Sequence, residues 1–182
     1  MLALELRQFV GERLKTLVPM VYGQTEGAQQ KKTAGGAPKR QWDRETFFAD
    51  LERRQGAEVV GVAARIGDWM KAKADEAWYG RGAQDGSMGA TFVREGQKFF
   101  PLNVWTNGRV EINFRWIMQP PFADEEKRRE LLRRLNSVEG INFPPDAISR
   151  HPSIPLATLK DEKRLSGFLA AMDWFVQELR AA

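Results

Sequence analysis

The sequence predicts an α+β fold, and three observations support this prediction. Two stretches with apolar residues at three- and four-residue steps come first, the apolar period then changes to two, and two further helical stretches follow. The clearest two-residue alternation covers residues 99–106 and 109–117, which flank Asn107-Gly108, a pair typical of tight turns. This order predicts an antiparallel meander of about three to four strands packed against helices.

Composition excludes several kinds of protein. The 182 residues include 28 Lys and Arg, 24 Asp and Glu, one His and no Cys, which gives a net charge of +4. Disulfides, thiolate metal sites, Cys nucleophiles and multi-histidine metal sites are therefore excluded. No stretch of about 18 apolar residues occurs, and Glu5 and Arg7 interrupt the apolar N-terminus where a signal peptide would be continuous. We expect a cytoplasmic protein without membrane contact, metal or cofactor.

The first 41 residues are expected to be distinct from the rest. Leucines, valines and a phenylalanine recur at three- and four-residue steps in residues 2–18, which predicts an N-terminal helix within residues 1–22. Residues 23–41 are rich in Gly and Gln and carry four of the basic residues, Lys31, Lys32, Lys39 and Arg40. This composition predicts a flexible basic linker, followed by one α+β domain over residues 42–182.

Four helices are predicted in the main domain. Asp43 is a good N-cap for a helix ending near residue 54, and a second helix begins near residue 57. Asp124 caps a third helix, and the last covers about residues 161–179. The proline-rich stretch 138–156 is expected to be irregular.

The register of the hairpin follows from its alternation. A three-residue loop ending in a left-handed Gly108 places Val104 opposite Val110 and Leu102 opposite Ile112, which gives one apolar face. The other face then displays aromatic, amide and charged residues, namely Phe99, Asn103, Trp105, Arg109, Glu111, Asn113 and Arg115. Arginines and amides beside flat aromatics favour phosphate contact and base stacking. The alternative is an ordinary solvated face of an antiparallel sheet.

A glycine-rich loop, residues 80–89, separates two shorter predicted strands at 77–79 and 90–94. Its backbone N–H groups could contact a phosphate, and Trp78, Tyr79 and Arg81 at its entrance make it the best pocket candidate. The loop lacks the Gly-Lys-Ser/Thr ending of a P-loop and leads into a strand. The alternative is a mobile turn between strands.

A metal-dependent nuclease would need carboxylates and a Lys converging on Mg²⁺. Asp85, Glu95 and Lys98 come nearest to such a set and are the candidate catalytic residues. The three-residue step from Glu95 to Lys98 places the two side chains on opposite faces of a regular strand, unless a turn at Gly96 brings them together. His151 has no acid or nucleophile placed beside it by the sequence and is expected to be a surface or packing residue.

Several short motifs between Trp42 and Leu179 carry a resemblance to a known family. They are Trp42-Asp43, Phe47-Phe48, Trp78-Tyr79-Gly80-Arg81-Gly82, Gly86-Ser87, Val104-Trp105-Thr106, Gly108, Val110, Ile112, Arg129-Glu130-Leu131, Arg134-Leu135-Asn136 and Pro152-Ser153-Ile154-Pro155-Leu156. The chain resembles a poorly characterised bacterial domain found alone or attached to nuclease-like and restriction-type modules. The resemblance implies a DNA-related or defence-related role and supplies no catalytic residues.

Three functions are open at this point. The first is a noncatalytic module that contacts nucleic acid through the aromatic and basic face of the hairpin. The second is a nuclease that uses Asp85 and Glu95 and would require Mg²⁺. The third is an interaction domain that self-associates or binds a partner protein through the N-terminal helix. We favour the first, because the pI is about 9.5 and the aromatic residues lie beside arginines.

Overall fold

The computed structural model describes residues 3–10, 15–22 and 38–181, and for the first two ranges it describes strand pairing. The chain divides into two compact units, Met1–Pro38 and Lys39–Ala182. Within the described ranges, no helix has the length and apolar character needed to cross a membrane.

The first unit contains a strand pair where the sequence predicts a helix. Strand β1 (Ala3–Val10) pairs antiparallel with β2 (Lys15–Tyr22) along their whole lengths. The helix prediction is wrong because a short apolar run fits both periods, whereas its β-branched valines favour strands and Gly11 and Pro19 disfavour a helix. Self-association through an N-terminal helix therefore loses its basis. Residues 23–37 of the predicted linker lie outside the described part of the chain.

The second unit begins before the predicted boundary at residue 42. Strand β3 (Arg40–Gln41) pairs with β5 (Arg81–Gly82) and ties the start of the domain to the glycine-rich segment. The backbone N–H of Trp42 donates to the carbonyl of Gly80 at 3.1 Å. The end of the predicted linker is thus part of the folded domain.

The four predicted helices of the main domain are confirmed. Their bounds are α1 Arg44–Gln55, α2 Ala57–Lys73, α3 Glu125–Asn136 and α4 Glu162–Ala181. The Asp43 side chain accepts the N–H of Thr46, and Asp124 accepts that of Glu126, so both predicted N-caps are formed. Helix α3 covers Trp174 of α4, since the Arg134 guanidinium lies 4.8 Å from the Trp174 ring.

The strands of the main sheet are β4 Glu76–Tyr79, β6 Ser87–Arg94, β7 Gln97–Phe99, β8 Leu102–Trp105, β9 Arg109–Ile112 and β10 Ser153–Pro155. The sheet is antiparallel, with strand order β10-β9-β8-β6-β4, and β7 also pairs with β6. Strand β10 lies in the stretch expected to be irregular. The strand predicted over residues 109–117 ends at Ile112, and a 3₁₀ turn follows at Phe114–Ile117.

The predicted hairpin register is confirmed. Leu102 pairs with Ile112 and Val104 with Val110, and all four side chains are fully buried. Gly108 has a φ of +83°, and its N–H donates to the carbonyl of Trp105 at 3.0 Å. The three-residue bulged turn therefore has the left-handed glycine that the alternation requires.

A change of register between β7 and β8 moves Phe99 to the side opposite the one predicted. Gly89 of β6 pairs with Asn103, whereas Phe92 pairs with Phe99, so the three residue steps from Gly89 to Phe92 oppose four steps from Phe99 to Asn103. The extra residue at Phe100-Pro101 is a bulge, and it reverses the side to which the preceding residues point. Phe99 is therefore fully buried rather than exposed beside Asn103.

The two faces of the sheet have different surroundings. On the inner face, the Phe92 ring lies 6.1 Å from Trp69 of α2 and 5.9 Å from Phe175 of α4, within one apolar core. Alternate residues point to the other side, which we call the outer face. It carries Trp78, Ser87, Gly89, Thr91, Asn103, Trp105, Arg109, Glu111 and Ser153.

Candidate binding face of the sheet

Five strands contribute one residue each to a row across the outer face. Trp78 pairs with Gly89, Gly89 with Asn103, Asn103 with Glu111, and Glu111 with Ser153. Cross-strand neighbours in such a row lie about 5 Å apart. The row therefore places an aromatic ring, an amide, a carboxylate and a hydroxyl side by side on one surface.

The Trp78 indole lies on the backbone of β6. A Cβ atom at Gly89 would come within 2.5 Å of Cζ2 and 2.7 Å of Cη2 of this ring, so only glycine leaves room for it. The indole N–H donates to Oγ1 of Thr91 at 3.0 Å, which fixes the ring along the strand. Trp78 is half-buried, and it presents a rigid aromatic surface whose polar atom is already satisfied.

Beside Trp78 the outer face forms a groove of about 470 Å³. The groove is lined by Trp78 of β4, Lys98 of β7, Phe100 of the bulge and Trp116 of the 3₁₀ turn. Trp116 is 49% exposed, an unusual degree of exposure for so large an apolar side chain. Three aromatic rings and one ammonium group therefore meet in an open, mostly apolar depression.

A hydrogen-bonded chain supports one wall of the groove. The amide nitrogen of the fully buried Asn113 donates to the carbonyl of Phe100 at 2.9 Å, and its Oδ1 lies 3.2 Å from Nδ1 of His151. Because Oδ1 is an acceptor, Nδ1 of His151 carries the proton. The imidazole in turn contacts Trp116 edge to face, with ring centroids 4.9 Å apart. Asn113 and His151 thus position two of the aromatic rings.

A second, more polar depression of about 220 Å³ lies at the other end of the row. It is lined by Asp85, Trp105, Asn107, Arg109, Glu111 and Ser153. The Arg109 guanidinium is held in place, since Nε donates to Oγ of Ser153 at 2.8 Å and an Nη donates to its carbonyl at 2.7 Å. Trp105 is half-buried here and provides a further aromatic surface.

The charges around this face are mixed. Lys98 and Arg109 are exposed, and within the described part of the chain neither side chain belongs to an ion pair. Glu111 also lies on the outer face and is half-buried. The face therefore offers separate cationic points rather than a continuous basic surface.

The structure brings together four of the predicted binding residues and separates the others. Trp78, Asn103, Trp105 and Arg109 share the outer face. Asn113 is buried beneath it, and Arg115 and Arg81 are exposed on the 3₁₀ turn and on β5. Phe99 and Tyr79 point to the inner side.

Tyr79 is a packing residue rather than part of the groove. Its ring lies 5.6 Å from that of Phe47 in α1. Burial raises the pKa of the Tyr79 hydroxyl above its usual value, and the nearby Arg44 opposes this shift. Adjacent residues of β4 thus serve opposite faces, because side chains alternate along a strand.

The glycine-rich loop is closed around Trp42. A Cβ at Gly86 would come within 2.6 Å of the Trp42 ring, and the Trp42 indole N–H donates to the carbonyl of Gly82 at 3.2 Å. The N–H of Gly80 donates to the carbonyl of Ser87, and that of Gly86 donates to Oγ1 of Thr106. These N–H groups are used within the protein, so this arrangement does not favour a phosphate cradle.

The candidate nuclease residues do not converge. Asp85 precedes β6 and Glu95 follows it, and the strand between them spans about 23 Å at about 3.3 Å per residue. Asp85 pairs with Arg54 at 2.5 Å and Lys98 lines the aromatic groove. Across the described residues, no group of three or more His, Asp or Glu side chains is placed to hold a metal ion.

Arg54 links Asp85 to α1 rather than to a reaction centre. Its guanidinium also contacts Asp50 at 3.0 Å and donates to the carbonyl of Gln84 at 2.9 Å. Burial raises the pKa of Asp50, but hydrogen bonds from Arg53 and Thr106 and the charge of Arg54 outweigh it and lower the pKa below the usual value. This network fixes the glycine-rich segment onto the helix.

Sequence reasoning missed Phe100 and Trp116, which line the groove, and Gly89, which lies beneath the Trp78 ring. In the strand predicted over residues 109–117, alternation places Trp116 on the same apolar face as Val110 and Ile112, but the strand ends at Ile112 and a 3₁₀ turn carries the ring outward. The signal that was available for Phe100 is Pro101, because a proline within a strand pattern marks an edge or a bulge.

No family model matches the chain, and no curated protein or solved structure gives a significant match. The resemblance to a bacterial domain with nuclease-like neighbours therefore stays an expectation.

Proposed function

We propose that the outer face binds single-stranded nucleic acid noncatalytically, with bases stacking in the groove and phosphates contacting the cations around it. The observation that supports this function is the meeting of Trp78, Phe100 and Trp116 with Lys98 in one open depression. Flat aromatic rings beside cationic side chains are the usual elements of single-strand recognition. The expected DNA-related or defence-related role belongs to the same proposal.

A single strand fits this geometry better than a duplex. In a duplex the faces of the bases are covered by their neighbours, so a stacking surface contacts only bases that are unpaired or splayed out. Trp78 is held against β6 and Trp116 is held by His151, so both rings are ordered before a ligand arrives. Ordered rings reduce the entropy lost on binding.

The electrostatic contribution is expected to be moderate. Lys98 and Arg109 supply two cations at the face, whereas Glu111 opposes an approaching phosphate. The net charge of +4 is small for a protein of 182 residues. Stacking rather than charge should therefore dominate the affinity.

Fluorescence anisotropy with labelled single-stranded DNA, single-stranded RNA and duplex DNA tests the proposal. We expect both single strands to bind more tightly than the duplex. Trp116→Ala should weaken single-strand binding by about 5- to 150-fold, since loss of one stacking ring costs about 1–3 kcal/mol.

Met118→Ala is the matched control. Met118 is 46% exposed, similar to Trp116, but it does not line the groove, so its replacement should leave the affinity unchanged. Equal losses in the two variants, or wild-type protein that binds no single strand at low salt, would overturn the proposal.

A further inference from the structure

The single histidine of the chain, His151, lies directly behind one wall of the aromatic groove. Its imidazole is half-buried, and the ring centroid lies 4.9 Å from that of Trp116, which lines the groove. Any charge on the imidazole therefore lies about one ring width from a ligand stacked on Trp116. Lys98 is the one cation among the described residues that line the groove itself.

The hydrogen bonds around His151 decide which ring nitrogen can take up a second proton. The side-chain nitrogen of Asn113 donates to the carbonyl of Phe100 at 2.9 Å, so the Asn113 oxygen is the atom that faces Nδ1 of His151, at 3.2 Å. Nδ1 therefore keeps its proton in both charge states. Nε2 makes no hydrogen bond to the residues that the structure describes. Protonation at Nε2 adds a positive charge and breaks none of these contacts.

The other charged groups around His151 have charges that stay fixed near neutral pH. They lie on the neighbouring 3₁₀ turns, on β9 and across the groove, and they are Arg109, Glu111, Arg115, Asp146, Arg150 and Lys98. Arg150 is paired with Asp146. Carboxylate, ammonium and guanidinium groups ordinarily stay charged between about pH 5 and 8, whereas an imidazole gains its proton in that interval. Among these groups, only His151 is of a type that changes its charge there.

We propose that His151 makes single-strand binding depend on pH, because its imidazolium form places a second cation beside the groove. The proposal rests on the proposed function and names a regulation of the same site. A phosphate of the bound strand stabilises the imidazolium, so the titration of His151 moves to higher pH in the complex. The gain in affinity is complete at low pH and is lost as the pH rises through the titration of the complex.

Anisotropy titration with a strand of about nine thymidines tests the proposal, since thymine neither gains nor loses a proton in this interval. We expect wild-type protein to bind about 2- to 10-fold more tightly at about pH 5.5 than at about pH 8, as one further charge near a solvated phosphate predicts. His151→Asn keeps an N–H donor for Asn113 but takes up no proton, so its affinity should be the same at both pH values. Circular dichroism checks the fold of this variant.

Proton uptake itself can be followed on the wild-type protein. Because the chain has one histidine, its imidazole C–H signals in the NMR spectrum need no assignment by substitution. The midpoint of their pH titration should rise by about 0.3 to 1 pH unit when the thymidine strand saturates the protein, which is the logarithm of the same change in affinity.

The outcomes separate the two proposals. Wild-type protein that binds the strand equally well at both pH values, or whose imidazole midpoint does not rise on binding, would overturn the pH inference and leave single-strand binding in place. An equal pH dependence in His151→Asn would assign the effect to another group and overturn the inference as well. Wild-type protein that binds at neither pH would overturn both proposals. The wild-type measurements need no substitution, so they decide the matter even if the variant does not fold.

Discussion

Apolar side chains are buried more deeply on the inner face of the sheet than on the outer face. Phe92 points inward, is 2% exposed and contacts rings from two helices, whereas the next residue, Val93, points outward and is 46% exposed. The outer face also holds the open groove lined by Trp78 and Trp116. Packing of the core explains the apolar side chains of the inner face. The groove on the outer face is open to a ligand.

Two tryptophans that pack against glycines differ in the same way in their exposure. Trp42 and Trp78 each lie against a glycine, Gly86 and Gly89, and each donates its indole N–H within the protein. Trp42 is 2% exposed, but Trp78 lines the groove. A ring that is fixed and still accessible suits recognition better than packing.

The largest expected effect is a difference in the free energy of unfolding between substitutions at two adjacent residues of β6. Phe92→Ala should lower the free energy of unfolding by about 3–5 kcal/mol, because it leaves a cavity between α2 and α4. Val93→Ala, one residue further on the outer face, should cost less than about 1 kcal/mol. Denaturant unfolding measures both values, and similar losses at the two positions would contradict the assignment of the faces.

A smaller effect on stability, joined to an effect on binding, is expected at Gly89. The added methyl group of Gly89→Ala must displace Trp78 or Asn103, which should cost about 1–3 kcal/mol of stability and weaken single-strand binding. Thermal unfolding and anisotropy measure the two effects.

Gly61→Ala is the control for that substitution. Gly61 lies in α2 with nothing within 4 Å of an added Cβ, so alanine should stabilise the protein by up to about 1 kcal/mol and leave binding unchanged. A Gly89→Ala variant that is as stable as wild type and binds as well would mean that Trp78 is not held as described.

The smallest expected effect concerns salt. Two phosphate contacts, through Lys98 and Arg109, predict a slope of about −1.4 for log K against log salt concentration with a single strand. Lys98→Gln should reduce the slope by about 0.7. Lys160→Gln is the control, because Lys160 pairs with Glu58 at 2.6 Å and does not line the groove, and its slope should equal that of wild type. A slope unchanged by Lys98→Gln would remove Lys98 from the phosphate contacts.

Local rules predicted the helices and the hairpin well. Asp43 and Asp124 are good N-caps, and they mark the starts of two helices. The alternation around Asn107-Gly108 allows only one register with a wholly apolar face, and that register is the one formed. Both features depend on residues that are close together in the sequence. The same reasoning failed at residues 2–18, where a short apolar run fits a helix and a strand, and the structure has strands.

The candidate site was predictable only in part. Trp78, Asn103, Trp105 and Arg109 were found because alternation places them on one face. Phe99 was misplaced because the bulge at Phe100-Pro101 reverses the alternation. Trp116 and His151 depend on a 3₁₀ turn and on a hydrogen bond across 38 residues, which no periodic pattern reveals.

The most direct test follows the indole N–H resonances during titration with a single-stranded oligonucleotide by two-dimensional NMR. The chain has six tryptophans, and they report separately on the two faces. We predict that the Trp78 and Trp116 resonances shift on binding, while those of the buried Trp42 and Trp69 stay in place. Saturating oligonucleotide that leaves Trp78 and Trp116 unmoved would contradict the assignment of the outer face as the binding surface.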